Sequence, residues 1–132
     1  MTITELTRIM YVDDETDIQT VVRLSLETIG GFTAKTCHSA ENALQCMNDF
    51  EPDLFLLDVM MPEMDGPSLL KEIRKIEKFE NIPAIFMTAK AQTNEIEMFK
   101  SYSGVAGVIV KPFNPVELPN EIRQLWRNYY GL

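Results

Sequence analysis

Leu54-Phe55-Leu56-Leu57 is apolar at every position and runs directly into Asp58. A strand with water on one face alternates apolar and polar residues, whereas a strand covered on both faces has no polar side to show. Four apolar residues closed by a carboxylate therefore predict a strand inside a parallel sheet with helices on both faces. Working outward, similar runs recur on both sides. Arg8-Ile9-Met10-Tyr11-Val12 reads as a buried strand leading into Asp13-Asp14-Glu15, and Phe32 to Cys37 as a second. Ala84-Ile85-Phe86-Met87 and Val105 to Val110 read as the fourth and fifth.

Helical patterns fill the intervals. Ile18, Val21, Val22, Leu26 and Ile29 fall on one face, and Gly30-Gly31 stops that helix. Ser39 is placed to cap a helix that turns Ala40, Ala43, Leu44 and Met47 inward. A loop rich in Pro and Gly precedes a helix carrying Leu69, Leu70, Ile73 and Ile76. Gln92 to Tyr102 is a weaker helix resting on Ile96 and Phe99. The last helix is expected to bury Leu118, Ile122, Leu125, Trp126 and Tyr129, with Pro119 suited to its first turn. Five strands, each followed by a helix, predict an α/β fold: a doubly wound five-stranded parallel sheet flanked by helices, with right-handed crossovers.

In such sheets ligands bind beyond the carboxyl ends of the strands. The first strand ends on Asp13 and Asp14, the third on Asp58, the fourth on Thr88 and the fifth on Lys111, which Pro112-Phe113 follow. Taken singly these residues are unremarkable: an Asp after a strand caps a helix or makes a turn, a Thr caps, a Lys is solvated. Asp65-Gly66 alone is an ordinary turn. Together they put three carboxylates, a hydroxyl and an ammonium on one edge. At ~5 Å and an effective dielectric of ~20, each carboxylate pair costs about 3 kcal/mol before screening. A cation among them removes that cost. An all-oxygen donor set favours a hard divalent ion, and Mg²⁺ is commonly held by one or two carboxylates, waters and a phosphate oxygen. Lys111 and Thr88 are placed to contact phosphoryl oxygens, and Asp58, at the centre, is the natural nucleophile. Phosphoryl transfer asks mainly for such positioning and charge neutralisation.

The totals narrow the field further. A chain of 132 residues fits one domain, with a core over about residues 7–129. Apolar residues make up 45% of it, which argues against disorder. A formal net charge of −8 argues against nucleic acid or an anionic membrane as partner. No apolar run reaches membrane-span length, and MTITELTRIM has no signal-peptide pattern. Cys37 and Cys46 lack a metal-ligand spacing and are expected as buried or half-buried thiols in a reducing compartment, so the expected location is cytoplasmic. His38 is expected at the surface or as a cap.

Four blocks then make the sequence resemble the response-regulator receiver family over nearly its whole length. They are Val12-Asp13-Asp14-Glu15, then Leu56 through Asp58 to Met60-Met61-Pro62-Glu63-Met64-Asp65-Gly66, then Met87-Thr88-Ala89-Lys90, and Val110-Lys111-Pro112-Phe113. The resemblance implies a flavodoxin-like fold such as that of the bacterial chemotaxis regulator. It implies phosphorylation of Asp58 by a histidine kinase or a histidine phosphotransfer protein. Mg²⁺ would be held by Asp13, Asp14, Asp58 and the backbone carbonyl of Met60. Thr88 and Lys111 would bind the phosphoryl group, and a downstream protein would receive the signal. The resemblance also implies a cis Lys111–Pro112 bond. On this reading the protein is no turnover enzyme but a phosphoacceptor that assists its own phosphorylation and dephosphorylation. One position departs from the pattern: many members carry Tyr or Phe three residues before the lysine, and here Val108 stands there.

Other readings fit less well. A phosphatase of the aspartyl-nucleophile type would need an Asp-x-Asp motif after the first strand and room for a cap domain. A pseudo-receiver that is never phosphorylated would lack one of the site residues. Met1 and the closing Tyr129-Tyr130-Gly131-Leu132 read as natural ends of a stand-alone protein, with a receiver cut from a larger regulator as the alternative.

Overall fold

The computed structural model describes residues 5–89 and 92–132, so Lys90, from one of the four blocks, lies outside the described residues. The apolar runs fold as β1 (Arg8–Val12), β2 (Thr33–Cys37), β3 (Leu54–Asp58), β4 (Ala84–Thr88) and β5 (Val105–Val110). The amphipathic stretches between and after them are α1 (Thr16–Leu24), α2 (Ala40–Phe50), α3 (Gly66–Arg74), α4 (Thr93–Lys100) and α5 (Leu118–Tyr130). All strand pairs are parallel, in the order β2-β1-β3-β4-β5. The fold is the expected doubly wound sheet flanked by five helices.

Strand parity divides the interior in two. Met10, Val12, Phe55, Leu57 and Phe86 face α2, α3 and α4, where they meet Met47, Leu69, Ile73 and Phe99. Ile9, Tyr11, Leu54, Leu56, Ile85 and Met87 face α1 and α5, against Val22, Leu26, Ile122 and Trp126. β3 and β4 are buried at every residue, which is why neither alternates. The edge strand β2 instead exposes Thr33 and Lys35, polar residues of the kind that discourage pairing with another chain.

Local chemistry sets the element ends. Ser39 accepts the backbone N–H of Asn42 at 3.0 Å and caps α2. Asp65 does the same for α3 through Ser68 at 2.9 Å. Pro119 sits in the first turn of α5. Four expectations need correction. α1 passes into a π-helical segment, Ser25–Ile29, whose wider turn shifts the phase of the apolar stripe and leaves Ile29 exposed. Val21 is exposed as well, because it stands one residue, about 100° of helix rotation, from the buried Val22. Tyr129 is 41% exposed; it lies on the final turn of α5, its ring edge-on to Tyr130 at 5.1 Å. β2 also begins one residue late. The N–H of Phe32 bonds the Leu26 carbonyl at 2.9 Å, and its buried ring lies under the Arg123 guanidinium at 4.5 Å.

The sheet order reverses direction between β1 and β3, since β2 lies outside one and β4 outside the other. That switch point opens a crevice at the carboxyl edge. Register brings the strand ends level there: Val12 pairs with Leu57, Asp58 with Met87 and Thr88 with Val110.

Candidate functional site

Asp13 is the first residue past β1 and is fully buried. Its N–H reaches the Cys37 carbonyl at 3.0 Å, extending the β1–β2 ladder by one bond. The Gln19 side-chain amide fastens the turn, donating to the carbonyls of Asp13 and, at 3.0 Å, Cys37. The carboxylate of Asp13 is held on both oxygens. Oδ1 accepts the Glu15 N–H at 2.9 Å, and Oδ2 accepts the Tyr11 hydroxyl at 2.6 Å and Lys111 Nζ at 3.2 Å. Asp14 points to solvent.

Asp58 closes β3 and is only 3% exposed. Lys111 Nζ donates to its Oδ1 at 2.7 Å. The lysine is held from behind, because its backbone N–H bonds the Thr88 carbonyl at 2.7 Å, and its side chain is 12% exposed. Thr88 is buried at the end of β4. Asp13, Asp14 and Asp58 each offer a carboxylate oxygen, and these oxygens lie within 4.8 Å of one another.

The electrostatics follow from this crowding. Burial pushes the Asp58 carboxyl up to about 6; the Lys111 hydrogen bond pulls it down, and the negative charge of Asp13, then Asp14, adds to the rise. Burial acts against the charge of Lys111, but the hydrogen bond and charge of Asp58, joined by Asp13, outweigh it and raise the ammonium's pKa. The edge thus holds more negative than positive charge. Three oxygen donors so close fit a hard divalent cation that would replace part of that repulsion.

The other positions fall as follows. Met60 lies two residues past Asp58 in the loop leaving β3, with its side chain exposed. The Lys111–Pro112 peptide is cis. Val108 is half-buried and paired with Phe86, while the Tyr102 ring stands edge-on to Phe86 at 5.9 Å. His38 is exposed, its backbone N–H bonded to Asn42 at 3.3 Å. Cys37 is buried and Cys46 half-buried, both as free thiols.

Two features escaped the sequence reading. By sequence Tyr11 reads only as strand core, although residues two apart on a strand share a face, which aims it at Asp13. Asp65-Gly66 is more than an ordinary turn. The Gly66 N–H bonds the Val59 carbonyl at 3.0 Å, and a Cβ there would lie 2.4 Å from the Asp58 carbonyl oxygen. Any side chain at 66 must push the backbone that carries Asp58. Gly66→Ala should therefore cost about 1–3 kcal/mol in urea unfolding, as overpacking generally does, and should displace the Asp58 and Val59 amide resonances. A variant as stable as the parent, with those resonances unmoved, would refute the close approach.

Comparison with known proteins places this geometry. The family model described as the response regulator receiver domain matches residues 9–123. A probable transcriptional regulator, ycf29 of Porphyra purpurea, is 40% identical over 96 residues, 72% of this chain and 45% of that protein. The chain thus spans about half the length of that relative, and the same holds for a response regulator of Synechocystis, of which it covers 50%. Among solved structures, the chemotaxis response regulator CheY4 of Vibrio cholerae superposes with a TM-score of 0.82 at 26% identity, covering 92% of this chain and 99% of that one. Among the described residues no helix is long and apolar enough to cross a membrane.

Proposed function

The chain belongs to the response regulator receiver family of two-component signalling, and from that premise we propose that it takes a phosphoryl group on Asp58 with the help of Mg²⁺. The donor is a histidine kinase or a histidine phosphotransfer protein, and the output is contact with a downstream protein in the cytoplasm. The observation that carries this reading is Lys111 Nζ at 2.7 Å from Asp58, beside carboxylate oxygens gathered within 4.8 Å.

The residues divide the work. An Asp58 oxygen attacks the phosphorus of a phosphohistidine; an O–P bond forms, the P–N bond breaks, and its electron pair leaves on the imidazole nitrogen. Asp13, Asp14, Asp58 and the Met60 carbonyl are the residues that would hold Mg²⁺, which when bound would neutralise charge on the phosphoryl oxygens. Lys111 moves from the carboxylate to a phosphoryl oxygen, and the Thr88 hydroxyl donates to another. The protein is a stoichiometric acceptor, so no turnover of a small phosphate ester is expected beyond its own hydrolysis. Some relatives are named transcriptional regulators; a net charge of −8 disfavours DNA as a direct ligand of this chain, and its signal is carried by protein contacts.

The test is incubation with a small acyl phosphate and Mg²⁺, followed by mass spectrometry of the intact protein. One added phosphoryl group is expected, and a chelator should suppress it at least about tenfold. Equal incorporation in chelator would remove the metal from the scheme.

A further inference from the structure

We propose that Tyr11 is a positioning residue for the metal centre: its buried hydroxyl fixes the Asp13 carboxylate in the orientation that receives Mg²⁺. This rests on the reading of Asp13 as a metal ligand. Tyr11 has no exposed surface, and its cluster neighbours Ile9, Leu54, Leu56 and Ile85 are purely apolar. Packing alone would be served by Phe at this place. A buried hydroxyl is costly unless it is hydrogen-bonded, and this one donates to Asp13 Oδ2 at 2.6 Å.

The inventory around Asp13 gives the hydroxyl its role. Among the described residues the carboxylate has three donors: the Glu15 N–H on Oδ1, and Tyr11 and Lys111 on Oδ2. Two of them are fixed, one by the backbone and one by a side chain packed in the core. The third sits on a long side chain that also serves Asp58. When Lys111 turns to a phosphoryl group, Tyr11 and the Glu15 N–H are left to hold the carboxylate plane, one on each oxygen. Without the hydroxyl, Oδ2 keeps among the described residues only the shared Lys111 donor before phosphorylation, so the carboxylate that meets Mg²⁺ is fixed through Oδ1 alone. Groups that orient a metal ligand in this way typically change affinity by 10–100-fold when removed.

Tyr11→Phe removes one oxygen and keeps the ring. Mg²⁺ alone is titrated into nitrogen-labelled parent and variant, following the Asp14 and Met60 amides. The expected result is a Kd for Mg²⁺ raised about tenfold. At saturating Mg²⁺ the rate of phosphorylation from an acyl phosphate should return to within about threefold of the parent, since the hydroxyl does not touch the reacting atoms. Equal Kd values in parent and variant would overturn the inference, and so would a lowered rate that Mg²⁺ does not restore. A parent that binds no Mg²⁺ would overturn the metal reading itself, a distinct failure. A second measurement needs no variant. In the parent with carbon-labelled tyrosine, the Tyr11 ring-oxygen carbon should shift with Mg²⁺ along the same curve as the Asp14 amide. A resonance that stays still through the titration counts against Tyr11 even if the variant does not fold.

Discussion

Asp58→Ala should reduce phosphoryl incorporation to background while the domain stays folded. Among the described residues three carboxylates share the edge, but they are not equivalent. Asp13 is held by Glu15, Tyr11 and Lys111, with donors on both oxygens, so an attacking lone pair there is already engaged. Asp14 lies in solvent, where a carboxylate is well hydrated and a poor nucleophile. Asp58 combines burial with a cation at 2.7 Å, and burial pushes its carboxyl up to about 6. Loss of its side chain leaves Lys111 paired with Asp13 at 3.2 Å, so no buried charge is stranded. Intact mass after acyl phosphate treatment is the direct reading. Stoichiometric labelling of the variant at Asp13, Asp14 or a serine would assign the chemistry elsewhere.

Much of this edge is legible in the sequence itself. Leu54 to Leu57 announced a strand covered on both faces because burial removes the need for alternation, and β5 runs from Val105 to Val110 as its apolar run suggested. Strand ends can be read from sequence because a parallel sheet sends all its carboxyl termini one way. Placing Asp13, Asp58, Thr88 and Lys111 on one edge therefore required only counting strands. Contacts that depend on rotation or close approach were hidden. The π-helical Ser25–Ile29 changes the helix phase by closing its turns over one more residue, and no residue type signals that insertion. The approach of Gly66 to the Asp58 carbonyl depends on how β3 meets α3, a tertiary relation that the dipeptide Asp65-Gly66, common to countless turns, does not reveal. The Tyr11–Asp13 bond was available from parity alone, but an aromatic in a core strand is usually packing, and its hydroxyl gains meaning only once Asp13 is known to be buried.

Asp58→Asn should be more stable than the parent near neutral pH in the absence of metal, by up to about 3 kcal/mol, and the gap should close in acid. The folded protein holds the Asp58 carboxyl at about 6, against 3.8 for the ordinary group. A carboxyl with a higher pKa in the folded state stabilises the fold only while protonated. That contribution is fully present below the unfolded value and is lost as pH rises through about 6. Roughly two pKa units at about 1.4 kcal/mol each set the size of the loss. Asn cannot ionise and still offers a carbonyl oxygen to Lys111, so the variant escapes the loss without vacating the contact. Urea unfolding of both proteins at about pH 4 and about pH 7 reads the difference directly. Saturating Mg²⁺ at neutral pH should narrow the gap, because a cation that binds the ionised trio supports the parent more than the variant. A gap that is the same at both pH values would mean that burial of Asp58 is offset by its surroundings. A parent that is the more stable protein at neutral pH without metal would mean that the Lys111 pair outweighs the desolvation of Asp58. In either case the acidic edge would be relaxed before the cation arrives, and binding of the metal could no longer be attributed to relief of stored repulsion.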